Sequence, residues 1–99
     1  MCYTLEEIEE KAVPIAKSYG IQSLSIFGSY ARHEAHTDSD IDICIDKGNL
    51  RNLIQYFSFI EELEKAFQCH VDVVTTEIED QDFLKRLLEE RILLYERQG

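Results

Sequence analysis

Residues 40–46, Asp-Ile-Asp-Ile-Cys-Ile-Asp, alternate without interruption between isoleucine and a mostly acidic set. A two-residue period is the signature of a β-strand, so Ile41, Ile43 and Ile45 share one face and Asp40, Asp42, Cys44 and Asp46 the other. Three isoleucines on one face require a covering layer, which commits the chain to a sheet with helices or a second sheet packed on it. The opposite face carries carboxylates on a strand otherwise built for burial.

The flanking segments supply the cover. Thr4 and Glu7 form a capping box, after which Leu5, Ile8, Ala12, Ile15, Ala16 and Tyr19 recur at helical spacing until Gly20. Pro14 lies inside that pattern and is expected to kink or split the helix. Ile21 to Phe27 reads as a buried strand running into Gly28-Ser29. Asn49 to Phe67 reads as a long amphipathic helix with Asn49 as its cap and Leu50, Leu53, Ile54, Phe57, Ile60, Leu63 and Phe67 as its apolar stripe. His70 to Thr75 alternates again, with Val71 and Val73 opposed to His70, Asp72 and Val74. A last helix covers Ile78 to Glu90, followed by a short apolar tail, Ile92 to Tyr95. The expectation is an α/β fold: a small mixed sheet of about three core strands covered by about four helices. With 99 residues, no internal repeat and no Gly/Pro/Ser-rich linker, residues 1–99 are expected to form a single domain.

Composition narrows the function. No run approaches the roughly 18 apolar residues of a membrane span, and the N-terminus, Met1 to Glu7, is acidic where a signal peptide is basic; a soluble cytoplasmic protein is expected. Cys2, Cys44 and Cys69 are odd in number and far apart, which suits packing thiols and neither a disulfide framework nor a zinc site. His33, His36 and His70 show no zinc-binding spacing and read as structural or surface residues. The formal charge of −10 disfavours direct binding of nucleic acid and suits a basic protein partner.

The chemistry concentrates at Asp40-x-Asp42. Side chains two apart on a strand point the same way, about 6.5–7 Å apart, so both carboxylates can reach one point. Held together they repel, and a divalent cation between them relieves the repulsion. Oxygen ligands without His or Cys spacing favour Mg²⁺ or Mn²⁺ over zinc. Asp72, on the polar face of the other alternating strand, joins them if the strands are neighbours; three such carboxylates can hold two metals about 3.5–4 Å apart. Gly28-Ser29 ends a strand and opens a short helical turn, Tyr30-Ala31-Arg32. Its backbone N–H groups, the Ser29 hydroxyl and Arg32 are candidate donors to phosphate.

Gly28-Ser29, ten intervening residues and Asp40-Ile-Asp42, with Ala31-Arg32 and Ser39 between and Asp72 downstream, resemble the signature of the polymerase-beta-like nucleotidyltransferases. The pattern is most similar to the minimal nucleotidyltransferases that act as antitoxins to HEPN-domain toxins. The resemblance spans nearly the whole chain. It implies a nucleotidyltransferase fold in which Asp40, Asp42 and Asp72 bind two Mg²⁺ ions and carry catalysis, with Asp72 as the third carboxylate and the base. Gly28 and Ser29, with Arg32 and Ser39, are then on the side of ATP. It further implies transfer of AMP to a hydroxyl, a tyrosine above all, of a HEPN-type toxin. His33 stands where this group usually has Gly, a departure bearing on the loop that follows.

Plainer readings accompany each feature. Gly28-Ser29 can be an ordinary turn with a capping serine, and the Asp face can be the solvated side of an edge strand. Asp38 and Asp46 read as solvent residues. Arg32 can be a surface ion-pair partner, and Phe57, Phe59 and Phe67 are core or partner-contact residues. A non-catalytic antitoxin that neutralises by binding, or nucleotidyl transfer to a small molecule, stand as alternatives to protein modification.

Overall fold

The computed structural model describes residues 3–31, 40–50, 52–77 and 79–97. Eight elements follow in the order α1 (Leu5–Ser18), β1 (Ser23–Phe27), α2 (Gly28–Ala31), β2 (Ile41–Asp46), α3 (Leu53–Phe67), β3 (Val71–Thr75), α4 (Gln81–Glu90) and β4 (Ile92–Glu96). The strands form one sheet in the order β3-β2-β1-β4. β1 pairs antiparallel with both β2 and β4, and β2 pairs parallel with β3. A parallel neighbour needs a crossover, and α3 is that crossover. The sheet is mixed, as expected, with one strand more than the three foreseen. The apolar tail is that fourth strand. Ile92-Leu93-Leu94-Tyr95 has no polar residue to mark alternation, and its ladder to β1 is interrupted by a bulge between Leu24 and Ser25.

The isoleucine face of β2 is the centre of the core. Ile41, Ile43 and Ile45 are fully buried with Leu24 and Ile26 of β1, beneath Ile8, Ala12 and Ala16 of α1 and Phe59, Leu63 and Phe67 of α3. Each buried Ile or Leu contributes about 1.5–3 kcal/mol of transfer free energy. Small alanines on α1 let that helix lie close to the sheet. Two tyrosines fix α3 from outside the helix ladder: Tyr3 Oη donates to the Phe67 carbonyl at 2.7 Å and Tyr56 Oη to the Val73 carbonyl at 2.9 Å.

Helix ends follow local chemistry. The capping box at Thr4 and Glu7 forms in both directions, with bonds of 3.0 and 3.1 Å. α1 includes Pro14 without splitting. Asn49 is not the cap of α3. Its N–H donates to the Gly20 carbonyl and that of Leu50 to Lys47, so residues 47–50 form a turn. Gly48 occupies that turn at φ +55°, pressed against the backbone of Gly20 and Gln22. The cap is Asn52, extended at φ −131°, whose side chain accepts from Gln55 N–H at 2.8 Å.

The expected stripe is borne out in its second half, where Leu63 and Phe67 are buried and Ile60 is half-buried, and Phe59 joins them. Leu50 is buried from outside the helix, whereas Leu53, Ile54 and Phe57 in the first turns are exposed. α4 likewise starts later than expected, at Gln81 behind an Asp80 cap; Ile78 lies outside the described residues.

Candidate functional site

Register brings the acidic residues together. Asp42 of β2 is the direct neighbour of Asp72 on β3 and of Phe27 on β1. Parallel pairing puts side chains of registered residues on the same face, so Asp42 and Asp72 stand side by side on the face away from α1 and α3. Asp40 precedes β2 and is exposed. One carboxylate oxygen each from Asp40 and Asp72 and a ring nitrogen of His70 lie within 4.8 Å of one another. Asp42 is half-buried and occupies the Gly28 side of this group.

The contact with Gly28 is close. Gly28 has φ +69°, a backbone region that side-chain-bearing residues rarely enter. The position its Cβ would take is already filled by the Asp42 carboxylate, with Oδ2 the nearest atom. Strand β1 therefore delivers the first turn of α2 directly against a carboxylate. With four residues, α2 is too short for a substantial helix dipole. What it offers is backbone brought near an acid group. Ser29 lies in this turn. Arg32 and Ser39, both expected on the phosphate side, lie outside the described residues, as do His33, His36 and Asp38.

His70 is a participant that spacing alone did not identify. Its Nε2 lies 2.7 Å from Asp72 Oδ1 and its Nδ1 3.2 Å from Glu64 Oε2. Ionised carboxylates only accept hydrogen bonds, so facing one at each nitrogen favours the doubly protonated ring. The pKa of His70 is raised accordingly, first by the hydrogen bond to Asp72 and then by that group's charge; Asp40 and Glu64 add to the effect and partial desolvation opposes it. Glu64 Oε2 also accepts from Val71 N–H at 3.2 Å, which ties α3 to the start of β3. The available signal was parity: His70 and Asp72 are two apart on one strand face.

Among the described residues the middle of the acidic face is covered. Cys44, expected on the polar face beside Asp42, is buried, and burial raises its thiol pKa, opposed by the charge of Arg91. Its cross-strand neighbour Ser25 is buried as well and accepts from Arg91 Nη1 at 3.2 Å. The residues after α4 thus close the middle of this face between Asp42 and Asp46. Asp46, at the other end of β2, is exposed as expected.

This donor set fits a divalent cation. Three carboxylates occupy one end of the sheet, and such hard oxygens suit Mg²⁺. His70 Nε2 lies against the same Asp72 oxygen, Oδ1, that a cation would approach. Among the described residues the site offers neither the thiolates nor the paired imidazoles that zinc prefers.

A family described as polymerase beta, nucleotidyltransferase, matches residues 10–99. The chain is 38% identical over 89 residues to MJ0435 of Methanocaldococcus jannaschii, named as a candidate protein adenylyltransferase, with 90% of each chain covered. It is 37% identical over 75 residues to the protein adenylyltransferase MntA of Thermococcus cleftensis, covering 72% of this chain and 76% of that one. Among solved structures, a chain from the complex of the tri-AMPylated HEPN toxin of Shewanella oneidensis with the MNT antitoxin superposes with a TM-score of 0.71. That match has 20% identity and covers 94% of this chain and 73% of the other, a likeness of fold.

Proposed function

Because the chain belongs to the polymerase-beta nucleotidyltransferase family, we propose that it moves AMP from ATP to a hydroxyl of a HEPN-type toxin, and so acts as that toxin's antitoxin. The observation that carries the reading is the row Gly28, Asp42, Asp72: a glycine backbone suited to close approach by phosphate, then two carboxylates in register across β2 and β3. The names of the similar proteins support protein as the acceptor, and the toxin complex of similar fold supports its class.

Asp40, Asp42 and Asp72 would hold Mg²⁺. When bound, the metal neutralises triphosphate charge and lowers the pKa of the attacking hydroxyl. The chain's own groups do the rest. Gly28 and Ser29 position the β- and γ-phosphates, with Arg32 and Ser39 as further donors. Asp72, on the β3 side, receives or orients the proton of the acceptor hydroxyl, and tyrosine is the acceptor we favour. The acceptor oxygen bonds to the α-phosphorus as the bond to the bridging α–β oxygen breaks. Pyrophosphate leaves with that electron pair.

Residues 1–99 work in this reading as one domain in the cytoplasm. Among the described residues no helix is long and apolar enough to cross a membrane. With a charge of −10 the chain meets a basic ribonuclease more readily than RNA itself. AMP placed near the toxin's active site would repel RNA phosphates. The test is co-expression of the partner toxin with wild-type or Asp42→Asn protein, followed by toxin mass and ribonuclease activity. Added AMP and silencing with wild type alone are expected. Equal silencing of an unmodified toxin by both would show neutralisation by binding, and modification of a small molecule in place of the toxin would show the third reading.

A further inference from the structure

Leu53, Ile54 and Phe57, on the first turns of α3, keep 70%, 79% and 59% of their surface exposed. Phe57 stands four residues from Leu53 and three from Ile54, so the three share one helix face. Glu61 and Glu64 follow on that face, with Lys65 at its far edge. The surface is held in place by the Asn52 cap and by Tyr56, which packs edge-on against Phe57 and donates to the Val73 carbonyl. Beside it a cleft of about 320 Å³ is lined by Lys47, Leu50, Asn52, Leu53, Tyr56 and Thr75. Leu50 is buried there, and Lys47 is paired with Glu77 at 3.0 Å. An apolar interior with a polar rim is the form of a pocket that takes an anchoring side chain from a protein partner.

This surface lies apart from the acidic site yet is joined to it. Thr75, beside the cleft, is in register with Ile45, about 10 Å along the strands from the Asp42 and Asp72 pair. From Leu53, α3 runs back for about three turns, roughly 16 Å, to Glu64. Glu64 accepts from Val71 N–H and lies 3.2 Å from His70 Nδ1. One helix face thus leads from the apolar patch to the flank of the site. Because β3 is an edge strand of the sheet, a body seated on α3 reaches Asp72 around β3 without crossing the sheet.

We propose that this face of α3 is the dock for the acceptor protein, a surface that binds it away from the reacting groups; the inference rests on the nucleotidyl-transfer reading. The occupant is a basic protein surface bearing one large apolar side chain. That side chain enters the cleft against Leu53 and Tyr56, and a Lys or Arg beside it meets Glu61. Two observations favour this occupant over a second copy of the chain. Leu53, Ile54 and Phe57 together expose roughly 400 Å² of apolar surface, about half of the ~800 Å² that each partner of a stable dimer covers. Two copies meeting here would also set like charges together, Glu61 against Glu61, in chains that each carry −10. A basic acceptor has the complementary charge and gains the rest of its contact area at the site itself.

The experiment compares wild type, the double variant Ile54→Gln with Phe57→Gln, and Glu61→Lys in AMP transfer to the partner toxin. Calorimetry reads toxin binding by the same variants in an Asp42→Asn background, where no transfer is expected. Both apolar positions are exposed and Gln is a good helix former, so melting temperature and Mn²⁺ affinity should hold. The double variant is expected to raise the toxin KM about tenfold, with kcat and the KM for ATP unchanged, and to weaken toxin binding equally. Glu61→Lys should weaken toxin binding about threefold, and less at high salt. Unchanged toxin KM and toxin affinity in the double variant overturn the dock. So does a loss of kcat or Mn²⁺ affinity with the toxin KM unchanged, which would make this face a support of the site. A wild type that sediments as a dimer, with a monomeric double variant that binds toxin normally, would make it a contact between copies and overturn the dock as well. If wild type leaves the toxin unmodified, the transfer reading fails; the dock then holds if the double variant loses toxin affinity and falls if it does not.

Discussion

The Asp42 carboxylate occupies the place that a side chain on Gly28 would need. Gly28→Ala therefore meets two penalties, a Cβ at φ +69° and displacement of a carboxylate needed at the site. The expected loss of stability is about 1–3 kcal/mol, measured by denaturant unfolding. Mn²⁺ affinity and transfer should fall further than stability alone explains. An alanine variant with wild-type stability and metal affinity would show that this contact is unimportant.

Asp40→Asn and Asp42→Asn are expected to abolish transfer while keeping the fold. Each replacement keeps side-chain size and relieves repulsion among Asp40, Asp42 and Asp72, so melting temperature should hold or rise slightly. Thermal melts and AMP transfer need to be measured on the same preparations. Near-normal transfer by either variant would remove that residue from the metal set.

Most of the architecture could be read from alternation. Asp40–Asp46 and His70–Thr75 show it directly, and their parallel pairing sets Asp42 beside Asp72. β4 was hidden because four successive apolar residues carry no period. The start of α3 was misplaced because Asn49 and Asn52 are equally good caps by residue type; a backbone bond from Asn49 to Gly20, far away in sequence, decides between them. Cys44 shares the parity of Asp42, yet Arg91 and the chain beyond α4 cover that part of the face. Parity tells which face a residue takes, whereas coverage depends on the path of the whole chain. His70 was set aside on zinc spacing, although its pairing with Asp72 needs no metal. Leu53, Ile54 and Phe57 have the spacing of a buried stripe, yet the first turns of α3 stay exposed while Leu63 and Phe67 further along are covered; spacing does not tell how far along a helix its cover extends.

The cap assignment can be measured directly. Asn52→Ala removes the acceptor of the Gln55 N–H bond and is expected to cost about 1 kcal/mol. Asn49→Ala, with an exposed side chain outside α3, should cost clearly less. Urea unfolding of the two variants under identical conditions checks the order. A larger loss at Asn49 would return the cap to the earlier position.

The last prediction separates two roles for His70. If its ring is a cation standing in for metal at Asp72, it competes with Mn²⁺ for Asp72 Oδ1, the oxygen at 2.7 Å. A like charge near a cation site lowers affinity there, although the exposure of His70 and solvent screening keep the effect modest. His70→Ala should therefore leave Mn²⁺ affinity unchanged or raise it by up to about threefold. If the ring is instead a ligand, the same variant loses a metal bond and affinity should drop by about tenfold or more. His70→Gln, which can hydrogen-bond to Asp72 without carrying charge, should match His70→Ala in the first case. Electron paramagnetic resonance titration of Mn²⁺ into the nucleotide-free protein reads the difference without depending on transfer. A tenfold fall in both variants would make His70 a metal ligand and add an imidazole to the three carboxylates.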